Sequence, residues 1–235
     1  MPTLLLHQFP KIHRWPSISP FCVKVHYALG LKGLAYETRD TLSSKAVSPT
    51  GKLPVLAIDG EIVCDSSDIF RRLDQLAPDP PLEPKAPEAR ALNHVLEDWA
   101  DESLYSFLGY YRWWNDENAA RTTGALFASA PPPMRAFGPL VAKRRLRAKV
   151  RARGLGRPQA AVDADFERHL DALDGLTARG AFLTGEAIAG ADLAATAQVQ
   201  GLRIGLTPDA ERLIDARPNV RAWLGRVLER CRVEG

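Results

Sequence analysis

Five prolines stand within ten residues of this chain, at Pro78, Pro80, Pro81, Pro84 and Pro87. Each fixes its own φ and lacks a backbone N–H, so the stretch cannot be regular helix and favours an extended, semi-rigid connection. It divides the chain in two. Before it, short apolar runs alternate with turn signals and helical patterns. After it, the pattern is helical to the end.

In the first part, Leu4–Phe9 reads as a buried strand bounded by Pro10. A loop through Trp15 and Pro16 then delivers the chain to Ser19-Pro20-Phe21-Cys22. Serine is a favoured residue just before a helix, and proline at the first helical position loses only an N–H that would be unpaired there. The helix places Val23, Tyr27 and Leu31 on one face and ends near Gly33. Ala35–Asp40 reads as a second strand, parallel to the first by the crossover rule. A polar loop over Ser43–Gly51 leads to Val55–Ile58, and Asp59-Gly60 joins this run to Glu61–Cys64 as a hairpin. Pro54 then sits at a strand start, where its missing donor is tolerated. Asp65-Ser66-Ser67-Asp68 opens a helix to about Gln75. The order β-α-β-β-β-α is the thioredoxin-like arrangement.

Beyond the prolines, Glu88 to about Asn115 reads as one long helix with Leu92, Leu96 and Trp99 on a face. It carries the aromatic cluster Tyr105, Phe107, Tyr110, Tyr111, Trp113 and Trp114. Pro131-Pro132-Pro133 breaks the pattern. Lys143–Arg153 holds seven basic residues and no acid. Helices follow over Val162–Leu176, over Ala191 to about Leu206, and from Pro218. The fold class is α/β plus all-α: a thioredoxin-like domain over 1–77, a linker over 78–87 and an all-helical domain over 88–235.

Composition bounds the function. A charged fraction of 25%, an apolar fraction of 46% and a net charge of +3 are those of ordinary globular protein, with no call for a nucleic-acid partner. No apolar run reaches the roughly 18–20 residues of a transmembrane segment. The opening Met1–Leu6 lacks a basic stretch and meets His7 too soon for a secretory signal. Cys22, Cys64 and Cys231 are odd in number and lack metal-ligand spacing, so the expected compartment is the reducing cytoplasm and no metal is expected. His7, His13, His26, His94 and His169 show no spacing for a metal or a triad. The basic run is read as a solvated helix face, since it is short, lacks interleaved aromatics and is balanced by acids elsewhere.

Three segments, in order, resemble those of glutathione S-transferases. Ser19-Pro20-Phe21-Cys22 stands where that family keeps its catalytic Ser or Cys, and is a thioredoxin-type C-P-x-C with serine for the first cysteine. Gly51-Lys52-Leu53-Pro54-Val55-Leu56 resembles the segment with the family's cis-proline. Asp65-Ser66 is similar to its acidic-residue–serine pair. Phe182–Glu186 and Gly190-Ala191-Asp192-Leu193 resemble the approach to its buried helix, although Ala189 stands where a Ser or Thr cap is usual. Trp15-Pro16 with the Ser19 motif, and Arg153-Gly154-Leu155-Gly156-Arg157, look most like the metaxin-like and failed-axon-connections-like branch.

The resemblance implies a homodimer that uses glutathione as co-substrate and joins its thiolate to a small apolar electrophile. Ser19 would donate a hydrogen bond to the sulfur. Leu53, preceding Pro54, would pair through its backbone with the cysteinyl part, Asp65 and Ser66 would hold the γ-glutamyl end, and Lys52 the glycyl carboxylate. Tyr105, Tyr110 and Trp113 would line a second-substrate pocket. Read without the family, Ser19 and Asp65-Ser66 are helix caps, and aromatics at helical spacing are core. Two rival functions stand beside conjugation: a non-catalytic interaction module of the same fold, and a thiol-disulfide reductase acting through Cys22. At the third helical position Cys22 reads as buried and inert; exposed, it would be a redox thiol.

Overall fold

Strand β1 (Leu4–Gln8) buries Leu4 and Leu6 on one face and lies inside a four-stranded sheet of order β2-β1-β3-β4. The computed structural model describes residues 2–12, 15–128 and 130–232. Strand β2 (Glu37–Asp40) runs parallel to β1, with Leu5 opposite Glu37. Strand β3 (Val55–Ile58) runs antiparallel to β1, with Leu6 opposite Leu56, and pairs with β4 (Glu61–Cys64). Asp59 (φ 49) and Gly60 (φ 91) form the turn, both at the positive φ that a two-residue hairpin requires.

Helix α1 (Pro20–Leu31) connects β1 to β2, and α2 (Ser66–Leu76) follows β4. Gly33, at φ +64, closes α1 as expected, with the Leu34 N–H donating to the Leu29 carbonyl. The one-sided burial expected of α1 is not found. Cys22 to Leu29 are all buried, because α1 packs on α2 and also on α8 (Gly190–Gly201) and α10 (Pro218–Cys231) of the helical part.

The remaining helices are α3 (Pro87–Trp99), α4 (Tyr105–Trp113), α5 (Asp116–Leu126), α6 (Pro132–Ala152), α7 (Gln159–Thr177) and α9 (Pro208–Asp215). Three expectations are corrected here. The long helix from Glu88 contains a π-helical turn over Ala100–Leu104 and ends at Trp113. Leu92 is 40% exposed and does not join Leu96 in the core. The prolines at 131–133 do break the helical pattern, between α5 and α6, and Pro132 and Pro133 open α6, where absent N–H groups cost nothing. Helix α8 stops at Gly201, and α9 lies in a stretch the periodicity did not separate.

The proline segment is held to the body rather than left as a spacer. Buried Lys32 donates to the Ala77 and Pro80 carbonyls at 2.6 and 2.9 Å, and its Nζ pairs with Asp74. Leu82 is buried, and its carbonyl accepts from Gly190 at the start of α8. With Ala189 unable to cap α8, Asn93 Oδ1 accepts from the Ala191 N–H at 2.8 Å, and Asp192 supplies the other side chain at the helix start. Its carboxylate accepts from the N–H groups of Ala189 and Leu183 and from the Trp223 indole. The fold is a thioredoxin-like α/β domain followed by a helical domain.

Candidate functional site

Between the sheet end of α1 and the helices α3, α4 and α6 lies a cavity of about 890 Å³. Ser19, Lys52, Leu53, Pro54, Asp65 and Ser66 line one side; Tyr105 and Trp113 line the other. Tyr110 does not reach it. That ring is buried, edge-on to Tyr111 and stacked on Trp114, because it sits on the opposite side of α4. A shallower depression of about 520 Å³ shares Glu102, Ser106 and Arg153 with the cavity and extends to Leu155 and His169. It holds none of the residues expected to bind glutathione or the second substrate.

Ser19 is half-buried with extended backbone (φ −87, ψ 120) at the residue preceding α1. Its hydroxyl does not cap the helix. The reading of Ser19 as a side-chain cap is therefore corrected: its hydroxyl remains available at the positive end of α1. Cys22, one turn on, is fully buried with Leu53 and Val55. Burial raises its thiol pKa, outweighing the Phe9 backbone and the Ser19 and Ser17 hydroxyls that pull it down. A reductase acting through Cys22 has no accessible thiolate here.

The Leu53–Pro54 peptide is cis. Independently of that, the Leu53 N–H and carbonyl pair with no other backbone group among the described residues, because β3 begins only at Val55. A buried residue just before a strand, with unpaired backbone at a cavity wall, is an edge for an added extended peptide. On the same side of the cavity, Asp65 has φ 75 and ψ 135, a conformation that costs a non-glycine residue of order 1–3 kcal/mol. It caps α2 by accepting from the Ser67 N–H at 2.9 Å. Ser66 is buried at the first turn of α2, where free N–H groups favour a carboxylate. Lys52 is exposed at the rim.

One cluster escaped the sequence reading. Lys24, fully buried on α1, donates to Glu97 Oε1 at 2.7 Å, Asp101 Oδ2 at 2.6 Å and Ser67 Oγ at 3.2 Å. The Ser67 hydroxyl in turn donates to Glu97 at 2.7 Å, and Lys24 lies over the Phe70 ring. All three ammonium protons are thus satisfied, and the α2 N-terminus beneath Asp65 and Ser66 is fixed to α3. A lysine inside the otherwise apolar run PFCVKVHYALGL was the available signal. Asp101 also lines the cavity, its carboxyl raised by burial against the lowering effect of Lys24. Arg112, buried on α4, donates to the Ile18 carbonyl at 2.6 Å and the Gly201 carbonyl at 2.7 Å, tying the Ser19 loop to the end of α8. Burial lowers its pKa to about 10, which leaves it charged at neutral pH.

Among the described residues the histidines do not gather. His26 is a core residue bonded to Gln8 and Tyr36, and His169 accepts from the Trp99 indole. His13 lies outside the described residues.

Two family models match the chain in order: the N-terminal domain of glutathione S-transferases over residues 17–81 and their C-terminal domain over 149–226. "Failed axon connections" of Drosophila melanogaster is 39% identical over 70 residues, covering 30% of this chain and 16% of that protein. A probable maleylacetoacetate isomerase of Caenorhabditis elegans is 38% identical over 76 residues, covering 29% of this chain and 36% of that protein. The matched region thus spans well under half of these relatives. Among solved structures, a glutathione S-transferase from Rhodospirillum rubrum superposes with a TM-score of 0.64 at 23% identity, covering 96% of this chain and 88% of its own, which is a likeness of fold. With both domain models matched in sequence order on the fold described above, the chain belongs to the glutathione S-transferase superfamily.

Proposed function

We propose that this protein binds glutathione in the cavity and joins its thiolate to a small apolar electrophile. The observation that carries the reading is that one cavity gathers Ser19, the unpaired Leu53 backbone and the Asp65-Ser66 helix start, three segments far apart in sequence. Leu53 pairs with the cysteinyl backbone, Asp65 with the γ-glutamyl ammonium, Ser66 and the α2 N-terminus with its carboxylate, and Lys52 with the glycyl carboxylate. Phe21, Tyr105, Leu108 and Trp113 supply the apolar wall for the second substrate. Similarity to a probable maleylacetoacetate isomerase supports glutathione-dependent chemistry.

A free thiol titrates near about 8.5, and predominance of thiolate at neutral pH requires a drop of about two units, about 2.7 kcal/mol. A hydroxyl donating to a charged acceptor contributes roughly 1.5–3 kcal/mol, and a helix N-terminus about 0.3–1 kcal/mol. Ser19 and α1 together reach the requirement. The thiol proton leaves to solvent, the sulfur attacks the electrophilic carbon, and the C–S bond forms. With an aryl halide the C–halogen bond then breaks and the halide leaves with its electron pair.

Retention on immobilised glutathione followed by turnover of a generic aryl halide tests the proposal. Ser19→Ala should lower kcat/KM by about 10- to 100-fold while retention persists. Unchanged turnover would remove Ser19 from the mechanism. Retention by the parent protein without turnover would favour the binding-module reading over the enzyme.

A further inference from the structure

Helix α6 is 21 residues long and carries Arg135, Lys143, Arg144, Arg145, Arg147, Lys149 and Arg151 without one Asp or Glu. Its two long faces differ. On the inward side Val150 is buried, Leu146 lines the cavity, and Arg147 donates to the carbonyls of Trp113 and Trp114 and to Asp116. Lys143 also pairs with Asp116. These two basic residues hold the helix to the body.

The outward side is apolar first and basic afterwards. Phe137 and Leu140 are each 70% exposed, Val141 62% and Met134 43%. Met134, Phe137 and Val141 follow i, i+3, i+7 spacing and form one row. The next positions of that row, three and four residues on, are Arg144 and Arg145. Both are exposed, and neither forms an ion pair among the described residues. Large apolar side chains clustered on a surface mark an interaction site. The basic flank states which kind.

We propose that the outward face of α6 seats the protein on an anionic lipid surface, with Met134, Phe137, Leu140 and Val141 entering the headgroup–acyl boundary. Arg144 and Arg145 then lie among the acidic headgroups, and their aliphatic stems run along the apolar edge. Charge argues for this occupant over others. A second copy packed through the same face would set guanidinium groups against guanidinium groups or against the apolar row. A nucleic acid would meet the arginines and leave four apolar side chains without a partner. The contact is peripheral, since no helix among the described residues is long and apolar enough to cross a membrane.

Co-sedimentation of the full chain with vesicles tests this, independently of any glutathione chemistry. The protein should sediment with phosphatidylcholine vesicles containing about one third phosphatidylserine and stay in solution with phosphatidylcholine alone. Arg144→Glu with Arg145→Glu should weaken binding at least about 30-fold, each basic residue near the surface being worth roughly fivefold. Phe137→Ser with Val141→Ser should weaken it at least about tenfold. All four positions are exposed, and unchanged melting curves verify that each variant folds. Absence of sedimentation overturns the proposal, as does equal binding to neutral vesicles. Binding that ignores the Phe137 and Val141 changes overturns it too, leaving only diffuse attraction between charges.

Discussion

Ser19 and His26 occupy one helix and its approach, yet burial sends them to opposite tasks. Ser19 sets its hydroxyl at a cavity wall without using it to cap α1, whereas His26 is 3% exposed and spends both ring nitrogens in the core. Gln8 Nε2 donates to the Pro16 carbonyl and to Asp40, so its Oε1 accepts from His26 Nε2, and Tyr36 donates to His26 Nδ1. That arrangement needs neutral imidazole. Burial accordingly lowers the His26 pKa to about 4, opposed by Asp40, from the ordinary 6.5. The unfolded chain therefore takes up the proton first as pH falls. Stability from His26 is complete above about pH 6.5 and is lost on going down to about 4, by about 3 kcal/mol. Urea unfolding at pH 7 and pH 4 should show wild type losing that much relative to His26→Gln; parallel pH profiles would refute it. The comparison cancels Asp192, whose pKa burial raises to about 6 and whose effect runs the other way.

At the scale of elements, the chain's best-read pieces are those set by local chemistry. The Asp59-Gly60 hairpin, the Gly33 stop of α1 and the Asp65 start of α2 lie where turn and cap residues put them. The element that departs most is α1, read as amphipathic and found buried along its length. Its polar members are there for partners on other helices. Lys24 joins α1 to the start of α2 and to α3 and the π-helical turn, and its charge is compensated only while Glu97 and Asp101 stay in place. Lys24→Met keeps the length but leaves both carboxylates without their cation. The expected cost is about 3 kcal/mol, the low end for a broken buried pair because the carboxylates keep some solvent. Equilibrium denaturation measures it, and a loss below about 1 kcal/mol would show that the pair is not a main link.

For the whole molecule, the proline segment separates two patterns of sequence but not two independent bodies. Leu82 inside it is buried and bonded to α8, and α1 is enclosed by the sheet on one side and by α8 and α10 on the other. Residues 1–77 expressed alone would lack α8 and α10, which pack on α1 and help bury it from Cys22 to Leu29. That fragment should show no cooperative thermal transition by circular dichroism, whereas the full chain does. A sharp fragment transition near that of the full chain would mean the two parts fold separately. The cavity shares this dependence, since its two walls come from opposite sides of the prolines.

The sequence by itself determined the strand and helix order of the first part, the hairpin, the proline division, and the three segments at which a glutathione site was expected. These are written in residues a few positions apart, where φ preferences, caps and periodicity act. The tertiary structure alone decided that Ser19 is not a side-chain cap, that Cys22 is sealed and Tyr110 turned away, and that Lys24 and Arg112 bind the two halves around the cavity. It also turned the basic run into one half of an outward face whose other half is apolar. Each of these depends on which surface of an element meets another, and that is fixed by packing between residues far apart in the chain. A sequence lists which side chains an element carries; burial decides which of them remain free to react or to bind.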